Sequence, residues 1–163
     1  MKTIPSGSID MILADLPYGT TACKWDSVIP FEPLWEQYRR IAKSNAAIVL
    51  TASQPFTSAL VMSRPSLFKH EWIWEKSLGS NFLLARKAPL KVHETAVVFC
   101  RGTPRYFPLM VPGTPYDASK RVSKKGSNTD VFNSVPNPRY RHERPSGERF
   151  PRSVIYFRKA AGA

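Results

Sequence analysis

Apolar and polar positions divide this chain into a patterned first hundred residues and an unpatterned stretch after them. The first strong signal is Asp10-Met11-Ile12-Leu13-Ala14-Asp15-Leu16-Pro17-Tyr18-Gly19. An apolar run of strand length ends in an acid, a proline, an aromatic and a glycine. It is too short and too sharply broken for a helix, so a buried parallel strand is expected, opening into a rigid turn. Pro5-Ser6-Gly7-Ser8 before it is turn chemistry. Phe31 to Lys43 reads as a helix, with Phe31, Leu34, Trp35, Tyr38, Ile41 and Ala42 on one face, Pro33 in the first turn and a stop at Lys43-Ser44-Asn45. Ala46 to Thr51 is a second buried strand, which completes a βαβ unit with a parallel crossover. Ser53 is the expected N-cap of a second helix with Pro55 just inside it. Phe68–Glu75 and Thr95–Cys100 read as the third and fourth strands, with Lys76–Glu94 as a long loop between them. Periodicity fades from Arg101 to Arg149, and strand character returns at Phe150–Phe157. The expected class is α/β, with residues 1–100 as a core, 101–149 as an irregular segment and 150–163 as a terminal strand and tail.

In open α/β sheets the ligand crevice lies beyond the carboxyl ends of the strands. That places Asp15, Leu16, Pro17 and Tyr18 where chemistry is expected. Asp15 is a fixed acceptor, Pro17 holds the Leu16 carbonyl outward, and Tyr18 is a flat ring. Together they suit a planar group that carries an exocyclic amine. The same residues also fit a plain turn, in which Asp bonds its own backbone and Pro fixes φ.

Charge sharpens the division. The chain has 163 residues, 42% of them hydrophobic, and a net charge of +12. Residues 1–100 hold 11 basic and 8 acidic residues, a net of +3; residues 101–163 hold 13 and 4, a net of +9. A basic, aromatic-studded carboxyl third (Tyr106, Phe107, Tyr116, Phe132, Tyr140) suits a polyanion, and also a solvated tail or a segment that orders on binding. The length allows a single domain with a real core. No long apolar run or signal-peptide pattern is present, so a soluble cytoplasmic protein is expected. Cys23 and Cys100 are far apart with no CxxC spacing, which argues against a zinc site and a disulfide framework. His93-Glu94 reads as a structural pair rather than a catalytic or metal site.

Asp15-Leu16-Pro17-Tyr18 resembles the Asp-Pro-Pro-Tyr motif of the amino-group DNA methyltransferases, with Leu in the second place. Lys24-Trp25-Asp26, the stretch from Ser53 to Leu60, the loop ending in His93-Glu94 and the stretch Phe150–Phe157 also resemble segments of that family. The resemblance covers most of residues 4–157. It implies a doubly wound, Rossmann-like sheet, mostly parallel, with an antiparallel hairpin at one edge, and S-adenosylmethionine as methyl donor. The Phe-x-Gly-x-Gly turn and the Thr-Gln-Lys-Pro stretch of the donor site are missing. The chain therefore resembles only the catalytic half of an enzyme, Asp15 alone standing near the donor methyl, and an open sheet edge is expected to need a second chain or self-association.

The resemblance further implies a DNA partner and a base flipped out of the duplex, with adenine-N6 favoured over cytosine-N4. Asp15 and the Leu16 carbonyl would accept from its amine, Tyr18 would stack on it and Phe82 would face it from the other side. Trp25 is expected beside the base or the donor, or else over an edge of the core. Arg86, Lys87 and Lys91, with Lys120, Arg121, Lys124 and Lys125, are candidate phosphate contacts. A non-catalytic DNA-binding remnant and an RNA-base methyltransferase are the alternative readings.

Overall fold

The computed structural model describes residues 1–115 and 147–157. Five strands and two helices follow in the order β1 (Ile9–Asp15), α1 (Phe31–Ile41), β2 (Ala42–Ala52), α2 (Phe56–Ser63), β3 (Phe68–Ser80), β4 (Lys91–Phe99) and β5 (Val154–Tyr156). They form one sheet of order β1-β2-β4-β3-β5. β1 is parallel to β2, β4 is antiparallel to both β2 and β3, and β5 is parallel to β3. Four strands thus run one way and β4 alone runs against them, which makes the sheet the mostly parallel α/β sheet expected. The antiparallel β3–β4 hairpin lies between β2 and β5, not at an edge, because the short β5 adds outside β3.

The βαβ unit forms with the parallel crossover expected, but β1 is not the buried strand its apolar run suggested: among the described residues it lies at the sheet edge, and none of its residues is buried. Leu34, Trp35, Tyr38 and Ile41 of α1 are buried. Leu34, Trp35 and Tyr38 meet Ile48, Leu50 and Ala52 of β2, Val97 and Phe99 of β4, and Phe56 and Leu60 of α2 in one core. Trp35 is fully buried, stacks edge-on against Phe99 at 4.9 Å and donates its indole N–H to the Ser63 hydroxyl at 2.8 Å. A buried indole with its one donor satisfied suits the centre of such a core. Arg40 ties down the amino-terminal turn through the carbonyls of Ile4 (2.8 Å) and Met1 (3.0 Å).

Several boundaries differ from the sequence expectation. α1 stops at Ile41, and Lys43-Ser44-Asn45 lie within β2 as an exposed irregularity: Ile9 pairs with Ala42 but Met11 with Ala47. The stop signal became a bulge because β2 starts directly from the helix. Ser53 does not cap α2 with its side chain; Pro55 holds the cap position, and only the Ser53 carbonyl joins the helix, accepting from Thr57 N–H. β3 runs on to Ser80 and β4 starts at Lys91, so the connection is only residues 81–90, with a 3-10 turn at Phe82–Leu84. The hairpin extends past the core with the Lys76–Glu94 ion pair and the Ser80–Lys91 pairing across it, and its outer residues are too exposed to leave the pattern of a buried strand. β5 is only three residues long.

The chain divides into two compact units, Met1–Tyr106 with Arg152–Ala163, and Phe107–Pro151. In the second, Val111 and Arg149 exchange both backbone hydrogen bonds at 2.8 Å. Among the described residues no helix is long and apolar enough to cross a membrane. Lys120, Arg121, Lys124 and Lys125 lie outside the described residues.

Candidate functional site

Parallel pairing sets Asp15, the last residue of β1, directly across from Thr51 near the end of β2. Directly paired residues present their side chains on one face. The Thr51 hydroxyl donates to Asp15 Oδ1. The Tyr18 hydroxyl lies 2.8 Å from Asp15 Oδ1 and 2.8 Å from Thr51 Oγ1. Two hydroxyls thereby converge on one carboxylate oxygen, and no hydrogen bond from the described residues reaches Oδ2. The carboxylate is oriented through one oxygen and open at the other.

Tyr18 is held from behind as well. Its ring stacks on Phe56 at the start of α2, with centroids 5.3 Å apart and planes at 30°. Its hydroxyl is pushed up to about 12, first by burial and then by the Asp15 carboxylate, with the Thr51 hydrogen bond opposing. Tyr18 is therefore a neutral donor. Leu16 has its side chain buried, which anchors the peptide that carries its carbonyl, and Pro17 follows half-buried.

The loop after the motif is closed by Asp26. Its carboxylate accepts from the backbone N–H groups of Gly19 (2.9 Å), Thr20 (2.9 Å) and Thr21 (2.7 Å). These bonds, led by that from Gly19, pull its carboxyl down to about 2. Gly19 has φ +68°, and a Cβ there would stand 2.9 Å from Val28 Cγ2. The position needs glycine both for its left-handed backbone and for the close approach. Trp25, next to Asp26, is 74% exposed and covers no core edge.

Beside this cluster lies an open pocket of about 620 Å³. Tyr18 and Thr20 line one part, Ser53 and Gln54 another, and Ser80, Asn81, Lys91, His93, Glu94 and Thr95 of the hairpin the rest. The Lys91 ammonium donates to the Ser53 hydroxyl. Glu94 pairs with Lys76, not with His93, whose side chain makes no hydrogen bond among the described residues. The expected His93–Glu94 pair therefore does not form: Glu94 sits across the hairpin from Trp74, two positions from Lys76, and the ammonium captures it.

The structure thus brings together Asp15, Tyr18 and, through the pocket, Lys91. It does not add Phe82, which is 75% exposed on the 3-10 turn and lines no part of this pocket. Arg86 and Lys87 are exposed on the same connection. Thr51, Phe56 and Asp26 had no role assigned from sequence. Thr51 had one usable signal: in a parallel pair, two strands that end in polar residues bring those ends together.

No family model matches the chain, and no curated protein does either. Solved structures do. The cytosine-N4-specific PvuII DNA methyltransferase aligns over 99% of this chain and 55% of its own, with a TM-score of 0.51 and 10% identity. The complex of M1.HpyAVI with SAM aligns over 66% of this chain and 48% of its own, with a TM-score of 0.45 and 16% identity. A further crystal structure of M1.HpyAVI gives 62%, 48%, 0.41 and 16%. The chain shares the Rossmann-like fold of the PvuII enzyme and spans about half the length of the structures it matches.

Proposed function

We propose that this chain is the base-binding half of a DNA methyltransferase acting on the exocyclic amine of a flipped base, with adenine-N6 favoured. The observation that carries the reading is the Asp15–Thr51–Tyr18 cluster at the carboxyl ends of two parallel strands, beside the pocket. The base would leave the duplex at a cost of a few kcal/mol. Tyr18, fixed on Phe56, offers the ring for it to stack on. Asp15 Oδ2 and the Leu16 carbonyl accept from the amine. Two acceptors on one amine draw its lone pair out of conjugation with the ring, so the nitrogen becomes the nucleophile with no covalent enzyme intermediate. Positioning is most of what these residues supply.

S-adenosylmethionine supplies the methyl group in this reading. The described residues do not by themselves fit it. The backbone donors beside the motif, at Gly19, Thr20 and Thr21, are occupied by Asp26. Among the described residues β1 has a neighbour on one side only. In this reading the donor cradle comes from polypeptide outside the described residues that pairs along the free edge of β1. Cytosine-N4 is the second reading, favoured by the specificity of the PvuII enzyme.

Anisotropy of a labelled DNA duplex tests the proposal. Binding by the full chain should fall steeply with salt, and Asp15→Ala should leave it unchanged while abolishing methyl transfer once the donor half is supplied. Turnover retained by Asp15→Ala, or no DNA binding at low salt, would overturn the reading.

A further inference from the structure

The β3–β4 hairpin ends in a surface that the pocket does not use. Residues 81–90 are exposed throughout. Within them the 3-10 turn presents Phe82 and Leu83 at 75% and 85% exposure, with Leu84 beside them. Three consecutive large apolar side chains at the tip of a hairpin gain nothing for the core. Contiguous exposed apolar residues of this kind mark an interaction site.

The charge around them names the partner. Between Glu75 and Glu94 there is no acidic residue, whereas Lys76, Arg86, Lys87 and Lys91 are basic. Lys76 is paired with Glu94 and Lys91 is bonded to Ser53, which leaves Arg86 and Lys87 as the exposed cations next to the apolar turn. An apolar tip with two cations close after it in the same exposed connection matches a duplex: cations for the phosphates, an apolar wedge for the stacked bases.

Placement adds a third argument. Ser80 and Asn81 form part of the pocket wall, and Phe82 is the next residue. Asn81 turns the chain there with φ 65°. The wall of the pocket therefore runs directly into the apolar turn. A base taken into the pocket leaves a gap in the stack, and the turn is joined to that pocket by a single peptide bond.

We propose that Phe82 and Leu83 form a wedge that inserts into the base stack of duplex DNA, with Arg86 and Lys87 holding the flanking phosphates. This rests on the proposed function, since it deepens how the same site takes a base. It gives Phe82 a role in the duplex instead of a place opposite Tyr18.

Insertion unwinds a duplex whatever its sequence, so topoisomerase relaxation of plasmid DNA in the presence of the full chain reads it directly. The wild-type chain should shift the topoisomer distribution in proportion to the protein bound. Phe82→Ser with Leu83→Ser should bind plasmid yet give little or no shift, and as both residues are exposed its melting should match the wild type. Arg86→Ala and Lys87→Ala should each lower the salt slope of binding by about 1 and keep the shift per bound molecule. A double-serine chain that unwinds as well as the wild type would overturn the wedge while leaving the proposed function standing. Absence of plasmid binding by the wild type would overturn both. Binding to anionic lipid vesicles that is lost in the double-serine chain, without any change in unwinding, would assign the tip to a membrane surface and also overturn the wedge.

Discussion

Along β1 adjacent residues meet opposite environments. Ile12 and Ala14 pack against the core under α1 and α2, whereas Met11 and Leu13, one position away, stand 53% and 68% exposed. Strand geometry alone makes the alternation; what differs is the cover. On one face Ile48, Leu50 and Ala52 of β2 continue the core beneath Trp35 and Leu60. On the other, Met11 and Leu13 pair with Ala47 and Val49, both only half-buried. Asp15 and Thr51 continue the bare face by the same register. Tyr18 reaches their carboxylate while stacked on Phe56 from the covered side. Among the described residues the covered face thus supplies the rigidity, and the bare face carries the Asp15 carboxylate.

Trp35→Ala should have the largest effect. It empties the centre of the covered face and should cost about 3–5 kcal/mol in denaturant unfolding. The site should be lost with it, because Tyr18 and Phe56 rest on the same core. Tyr18→Phe is smaller. It keeps the ring on Phe56 but removes the hydroxyl shared with Asp15 and Thr51, at about 1 kcal/mol.

The same hydroxyl gives a pH dependence. Its folded value of about 12 lies above the ordinary value of 10.0, so its contribution to stability is complete below pH 10. It is lost as pH rises through 12, because the unfolded chain ionises first. Tyrosinate absorbance should show a late phase that Tyr18→Phe shortens; part should remain, because burial also raises Tyr38. Leu13→Ser on the bare face should be smallest, within about 0.5 kcal/mol of wild type in the same unfolding experiment. A large loss there would mean that this face is covered after all.

How much of this the sequence carried follows from what each element rests on. α1 and β2 were readable because their apolar positions recur at the spacing of a buried element; β1 was readable as a strand, but its unbroken apolar run hid that one face is exposed. The outer hairpin was not: Leu78 and Val92 are exposed strand residues, and backbone pairing without a core beneath leaves no periodic trace. The motif marked Asp15 and Tyr18, but their partner Thr51 depends on strand register, which no local pattern reports. Asp26 closes its loop over five to seven residues through backbone donors, a contact made by shape and not by spacing. Phe82 was readable as an aromatic in a basic loop, but its separation from the pocket depends on where the hairpin turns.

The central claim is that the pocket beside Asp15 takes a base that carries an exocyclic amine. The most direct measurement is a nucleoside titration of isotopically labelled chain, followed by the amide resonances of Tyr18, Ser53, Asn81, Lys91 and Thr95. Adenosine should move these resonances together, more than cytidine does, and inosine and uridine, which lack the amine, should leave them in place. Equal shifts with inosine, or none with adenosine at millimolar concentration, would contradict the account.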